Sequence, residues 1–396
     1  FTNSLLVGTD TTGTLSSADG NTGVGTGVLA ALTSGDDNVA VGLNALNDIT
    51  TGDGNVAIGL ETLAKATTAD DLTAVGRCAL EANTSGTENT SVGAYAMREN
   101  TTGDKNTALG YAALQVNLSA DQNTGVGYFA LNANTTGDCN TAVGKGSLDS
   151  NTTGTRNVAV GGEALGANTT ASFNNALGYK ALCSNTTGAS NIAIGTCSMR
   201  INTTGGSNVA VGDKALCANT TGAQITTVGA NALTANTEGH STVAVGYEAL
   251  AANTTAAYNV AVGHRSLKTN TTGASNVAIG RQALLDNTTG KCNIAIGASA
   301  LANNTTADNN TSIGTNSMEV NTTGADNTAV GFNSLDANTT GTDGSALGSS
   351  ALTANTTGNS NTAIGRLSLT ANTTGDNNTA VGAGSLLTNT TGADNV

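Results

Sequence analysis

Residues 140–156 read N-T-A-V-G-K-G-S-L-D-S-N-T-T-G-T-R, and the same 17-residue unit, varied at a few fixed places, fills the chain on both sides. The glycine at its fifth position, Gly144 here, has a counterpart every 17 residues from Gly8 and Gly25 to Gly365 and Gly382. That makes 23 glycines with none missing, so no unit carries an insertion or deletion. A period this strict is the signature of a stacked repeat architecture. Numbering the unit from its first Asn gives the consensus N-[TV]-A-[VI]-G-x-x-[AS]-L-x-x-N-T-T-G-x-x, and positions below are called slots 1 to 17.

Composition agrees with a repeat and disagrees with ordinary globular domains. The 396 residues hold 52 glycines, no Trp and no Pro; aromatics make up 3% and charged residues 11%. A globular core of this size needs more large side chains. Disorder is equally disfavoured, because Val, Ile and Leu recur at fixed places. The net charge of −14 is spread along the chain, keeping it soluble and self-repelling. Fourteen scattered Lys and Arg form no basic stripe, which excludes nucleic acid as a partner class. No stretch approaches the roughly 18 apolar residues of a membrane span.

Within the unit, side chains sort by slot. Slot 4 is Val, Ile or Leu throughout, as in Val24, Leu109 and Ile296, and is expected to face a core. Slot 9 is Leu or Met in every unit except the first, where Thr12 stands; Met97, Met199 and Met318 all fall in it. It makes a second expected core column. Slots 2 and 4 share a face by the two-residue alternation of a strand, and slots 3 and 8 hold small residues such as Ala108 and Ser147. Charges and rings keep to the other slots, as with Arg77, Tyr111 and Lys145 at slot 6, Lys214 and Arg265 at slot 7 and Lys268 at slot 10, and these slots are assigned to water.

Two glycines per unit and the Asn-Thr-Thr run disfavour helix. The pattern predicts an all-β parallel β-solenoid, or β-roll, of strict 17-residue coils. Each coil is expected to hold one strand around slots 1–4 and another around slots 8–14, with turns at the glycines of slots 5 and 15. The lack of Pro fits a ladder that needs every N–H. Stacking 23 coils at about 4.8 Å gives a rod on the order of 110 Å long. One coil buries about two large aliphatics at roughly 1.5–3 kcal/mol each, against about 1–2 kcal/mol per ordered backbone residue, so stability must come from neighbouring coils and chains. Small faces at slots 3 and 8 suit three chains packed on a common axis, and a homotrimeric fibre is expected. The chain reads as one continuous array over 1–396, slightly divergent over 1–82 and regular over 83–396. Because it starts and stops in mid-unit, it reads as an excerpt of a longer protein.

The repeat at Asn140–Gly154 and Asn327–Gly341 resembles the repetitive shafts of tail-fibre and surface-adhesin proteins of marine phages and bacteria. Asn38-Val-Ala-Val-Gly42 and Asn276-Val-Ala-Ile-Gly280 are similar to the head repeats of trimeric autotransporter adhesins, whose units are shorter. The resemblance covers essentially the whole chain. It implies a left-handed parallel β-roll, a homotrimer and an attachment role at a surface; no chaperone domain, stalk or membrane anchor lies within these residues.

Slot 12 carries the second conspicuous column. From Asn83 it is Asn in 19 successive units, 18 of them reading N-x-[ST]: Asn83, Asn100, Asn117, Asn134, Asn151, Asn168, Asn185, Asn202, Asn219, Asn253, Asn270, Asn287, Asn304, Asn321, Asn338, Asn355, Asn372 and Asn389; Asn236 is the exception. One reading is a hydrogen-bonded asparagine ladder, the other an N-glycosylation array. Leu15, Leu32, Ile49 and Ala66 occupy the slot in earlier units, which points the slot inward and favours the ladder. Slot 1 is read as a second ladder, broken at Leu72, Ile225, Thr242 and Gly344.

Residues for catalysis are scarce. His240 and His264 fall in different slots, giving no triad. Cys78, Cys139, Cys183, Cys197, Cys217 and Cys292 show no C-x-x-C, so zinc is unsupported. Equal slots lie at least two coils apart, about 9.6 Å, too far for a disulfide. Gly23-Val-Gly25-Thr-Gly27 is the repeat with an added glycine, not a phosphate loop, and Asp376 beside Asn377 at most grazes a cation. No metal, cofactor or enzymatic activity is expected. The expected function is an extracellular structural shaft or adhesin, on a virion tail or cell surface, with itself and a host glycan or receptor as partners. Glycan-coated filament and ice-binding solenoid are the alternatives.

Overall fold

The computed structural model describes residues 4–8 and 17–396. Thr12 and Leu15 therefore lie outside the described residues. Two compact units are present, Phe1–Cys197 and Ser198–Val396. The first contains β1 (Leu5–Val7), β2 (Thr22–Val24) and their repeats up to β12 (Ile192–Ile194); the second runs from β13 (Val209–Val211) to β23 (Thr379–Val381). Each unit is a parallel β-solenoid. Successive strands pair residue for residue at an offset of 17, as in Val158↔Asn175, Ala159↔Ala176 and Val160↔Leu177, or Val260↔Val277 and Ala261↔Ala278.

A coil has one strand, not two. Slots 2–4 are extended, and slots 8–14 form turns. The reason is backbone conformation. Slots 7, 9 and 17 sit in the left-handed region in coil after coil, as at Arg265 (φ 56°), Leu267 (φ 51°) and Ser275 (φ 60°). Each such residue costs about 1–2 kcal/mol, and each donates its N–H to a neighbouring coil: Arg265 to Tyr247 O at 2.9 Å, Leu267 to Ala283 O at 2.9 Å, Ser275 to Ala257 O at 3.2 Å. The tight turning is thus compensated by the same stacking bonds that a strand would make.

The core column expected at slot 4 is overturned. In every strand from β2 to β23 the middle residue, slot 3, is the buried one. Its flanking slots point outward, leaving Leu109, Leu177 and Leu347 about half exposed. On the strand side the interior takes only small side chains, mostly Ala, with Ser91, Ser312 and Thr227 also fully buried. Slot 9 fills the rest, with Leu267, Leu284, Met97 and Met318 all fully buried, and slot 8 (Ala283, Ser266) closes the gap beside it. Small residues at slots 3 and 8 accordingly line the coil's own interior and do not form a surface for packing chains together.

The glycine of slot 5 is demanded twice over. Gly263 has φ +139°, and a Cβ there would stand 2.4 Å from the carbonyl oxygen of Gly280 in the next coil. Gly263→Ala is expected to destabilise its surroundings by about 3 kcal/mol. Hydrogen exchange of amides in the adjoining coils should accelerate on the order of a hundredfold, while coils several units away keep their protection.

Candidate functional site

The slot 12 asparagines from Asn83 point inward and are buried, Asn389 in the last coil excepted. Within the first unit, Asn100 Nδ2 donates to Asn83 Oδ1 at 2.8 Å, Asn117 to Asn100 at 2.8 Å, and Asn134 to Asn117 at 3.0 Å. Within the second, Asn287 donates to Asn270 at 2.8 Å and Asn304 to Asn287 at 2.9 Å. The other N–H of each amide goes to the slot 15 carbonyl of its own coil, Asn287 to Gly290 O at 3.0 Å. Both donors are used. A sugar on Nδ2 has neither a hydrogen to replace without loss nor space to occupy in this geometry.

Slot 1 forms a different ladder. The backbone N–H of Asn276 donates to Asn259 Oδ1 at 2.9 Å, and Asn276 Nδ2 donates to Gly290 O at 2.8 Å. The two columns therefore converge on one carbonyl. Leu72, Ile225 and Gly344 still donate their backbone N–H to the preceding Asn Oδ1, at 3.0, 3.0 and 2.8 Å, so an interruption keeps the upstream link and removes the downstream one together with the side-chain bond to the slot 15 carbonyl. Leu32, Ile49 and Ala66 in slot 12 are fully buried, matching the inward direction read from their chemistry.

Threonine at slot 13 completes the motif. Thr271 sends both its N–H (2.9 Å) and its Oγ1 (3.0 Å) to the carbonyl of Thr288, one coil on. The Asn-Thr-Thr run thus has a backbone-stacking use at its first two residues; the third, as at Thr272, is exposed.

The remaining reactive groups are dispersed. His240 packs edge-on to Tyr258 with centroids 5.1 Å apart, and His264 stacks on Tyr247 at 5.5 Å. None of the six cysteines forms a disulfide. Glu61, Cys78 and Glu81 bring one ligand atom each within 4.8 Å of one another. Burial, then the Glu81 carboxylate, pushes the Cys78 thiol up from its ordinary value, and the thiol lies 3.7 Å from Glu61 Oε2 as a donor. Both effects hold the thiol toward its protonated form. Asp376 Oδ1 accepts the Asn359 backbone N–H at 2.6 Å, a stacking role repeated at slot 16 by Asp53 and Asp104.

Two outer features were not legible as sites. Tyr111 and Tyr128 stack at 5.4 Å, Phe129 meets Tyr128 edge-on at 4.4 Å, and Arg77 lies 4.6 Å over the Tyr95 ring, which itself touches Tyr111. The 17-residue spacing brings slot 6 and slot 7 rings together, but only where neighbouring units both carry them. Slot 10 is the second feature. Asn47 and Asn132 donate there to the slot 7 carbonyl of the preceding coil, at 2.8 and 2.9 Å, and Thr353 does the same at 3.1 Å. Asp149 occupies this donor position with a carboxylate, which has nothing to donate. Burial holds its carboxyl above the usual carboxylate range.

Comparison with protein families finds none that matches this chain, and comparison with curated proteins finds none either. Among the described residues no helix is long and apolar enough to cross a membrane.

Asn287→Leu keeps the branched shape and the burial but removes three ladder hydrogen bonds, leaving Asn270 Oδ1 without its donor and one N–H of Asn304 without its acceptor. A loss of about 2–4 kcal/mol is expected by denaturant unfolding. Asp149→Asn should do the reverse, gaining about 1 kcal/mol at neutral pH as its amide donates the way Asn132 does. The raised native pKa means the Asp149 penalty is full above that pKa and disappears below the unfolded value near 3.8, so the variant's advantage should vanish on acidification through that window.

Proposed function

We propose that this chain is a structural shaft segment of an extracellular fibre, on a virion tail or a cell surface, which associates with copies of itself and supports attachment. The observation that carries the reading is the outward strand face. Slots 2 and 4 hold no charged residue in any unit, and slot 4 is always Val, Ile or Leu. Ile194, Ile279 and Ile364 are each about two-fifths exposed. Within each unit, strands about 4.8 Å apart and about 10 Å long give roughly 500 Å² of uncharged sheet. Along that face the slot 4 aliphatics make a continuous apolar stripe beside a mixed threonine and aliphatic column, and exposed apolar stripes of this kind mark contact surfaces.

A second copy of the same face satisfies this surface, since every coil presents the same aliphatic column of Val, Ile or Leu. Three copies around an axis are the arrangement that the repeat's likeness to trimeric adhesin heads implies. Sequence and fold favour a scaffold: long identical columns provide length and repetition. The glycan-coated reading is not adopted, because the Asn amides that would carry sugar are internal donors. Ice binding is set aside because the slot 13 hydroxyls are engaged with the next coil.

Sedimentation of the purified chain tests this directly. The expected mass is three times 38.6 kDa. Replacing Val262, Ile279 and Ile296 together by Glu places three charges on the outward face of one unit and should give a folded single chain. A parent protein that remains monomeric at micromolar concentration would overturn the assembly.

A further inference from the structure

In the unit Phe1–Cys197 two glycines lie side by side on the outer face. Among the described residues Gly166 is the only glycine in slot 10, and Gly146 in the coil before it takes slot 7, where most coils carry a longer side chain. Losing two neighbouring side chains opens a cleft of about 340 Å³, within the range of small-ligand sites. One wall is aromatic, made by Tyr128 and Phe129 at the end of the stacked ridge; Lys145 and Glu163 border the other side, and Asp149 lines the cleft.

The chemistry of that lining selects a ligand class. Asp149 stands where Asn47, Asn132 and Thr353 donate in their own coils, and its carboxylate makes no hydrogen bond or ion pair among the described residues. It therefore lacks a donor, and a ligand hydroxyl supplies one. Lys145 has no ion pair among the described residues and offers a donor in return. Glu163 is paired with Lys180 at 3.4 Å, so the cleft is close to charge balance. An organic cation, which aromatic walls alone would favour, meets Lys145. An anion meets Asp149 and Glu163. A neutral ligand with one flat apolar face and several hydroxyls satisfies every wall.

We propose that the cleft beside Tyr128, Phe129 and Asp149 binds a neutral saccharide ring, stacked on the Tyr128–Phe129 wall with its hydroxyls on Asp149 and Lys145. The site deepens the attachment role above and rests on that role only for its biological sense, because binding belongs to one chain in any oligomeric state. The ridge through Tyr111 and Tyr95 extends the same platform along the stack, so an oligosaccharide engages more of it than a single sugar does.

Saturation-transfer NMR on the full chain tests the site with methyl glucopyranoside, methyl galactopyranoside and N-acetylglucosamine, against glucuronate and choline as charged counterparts. The neutral sugars are expected to bind. Gly166→Leu should weaken them by about tenfold or more, the loss of one stacking or charged hydrogen-bond contact; Leu285 at the equivalent slot shows that the fold accepts this side chain. Tyr128→Ala should do the same, with Ala230 and Ala298 as its precedents at slot 6. Phe332→Ala, on an exposed ring of the other unit, should leave binding unchanged. The site is overturned if none of the sugars saturates, if Gly166→Leu binds like the parent, or if glucuronate or choline binds more tightly. Sedimentation of the same variants separates the readings, since loss of sugar binding with assembly intact touches the site alone.

Discussion

Hydrogen bonding between successive coils is the constraint from which the other features follow. It is not confined to the strand. In one circuit, Val260 donates to Asn276 O at 2.8 Å, Leu267 to Ala283 O, and Thr271 to Thr288 O, all toward the next coil; Gly263, Arg265 and Ser275 donate to the preceding one. Only a few N–H groups, such as those of Ser266 and Asn270, stay within the coil. With partners distributed all round the circuit, adding one residue to a unit shifts every later donor away from its acceptor. The uniform period of 17 is the sequence-level image of that geometry, and the missing prolines are another.

The same constraint explains the buried amides. A coil this narrow has little apolar volume, yet turning it sharply leaves backbone carbonyls such as Gly290 O facing inward. Left alone, a buried carbonyl costs on the order of 1–3 kcal/mol. Two asparagines of the same coil, Asn276 and Asn287, reach it and bond onward along their columns. Leu32 and Ile49 in slot 12 remove one of those donors in exchange for apolar burial, which the chain tolerates over a few coils and not throughout. Polar ladders and aliphatic columns therefore share one interior, with Leu267 and Leu284 beside the amides.

Much of this was legible from spacing. The period, the inward direction of slots 9 and 12, and the ladder character of slot 1 follow from residue type at a fixed offset. Which side of the strand faces inward did not. Alternation distinguishes two faces of a strand without naming them, and the larger side chains of slot 4 pointed to the wrong one. Ala278 faces in because the slot 8 column leaves room only for a small side chain, and Ile279 is left outside. The second strand failed for another reason. Left-handed backbone at Arg265 and Leu267 has no residue signature when inter-coil bonds, not glycine, stabilise it. The cleft was beyond a consensus altogether, since it arises where two slots depart from the consensus in adjacent coils.

Uniform columns bear on function in a particular way. Where each coil repeats the last, no single coil can be a specific site; the outer face offers only repetition, which suits assembly along a common direction. Specificity has to enter through exceptions. In this chain the exceptions are cheap at slots 6, 7 and 10, which face outward and accept Ala298, Lys145, Tyr128 or Gly146 without disturbing the stacking bonds of the backbone beneath. They are expensive at slots 5, 9 and 12, where Gly263, Leu267 and Asn270 have neighbours on both sides within contact distance. The interior columns thus hold the fold fixed while the outer slots vary, and a recognition surface forms where several outer exceptions fall in consecutive coils.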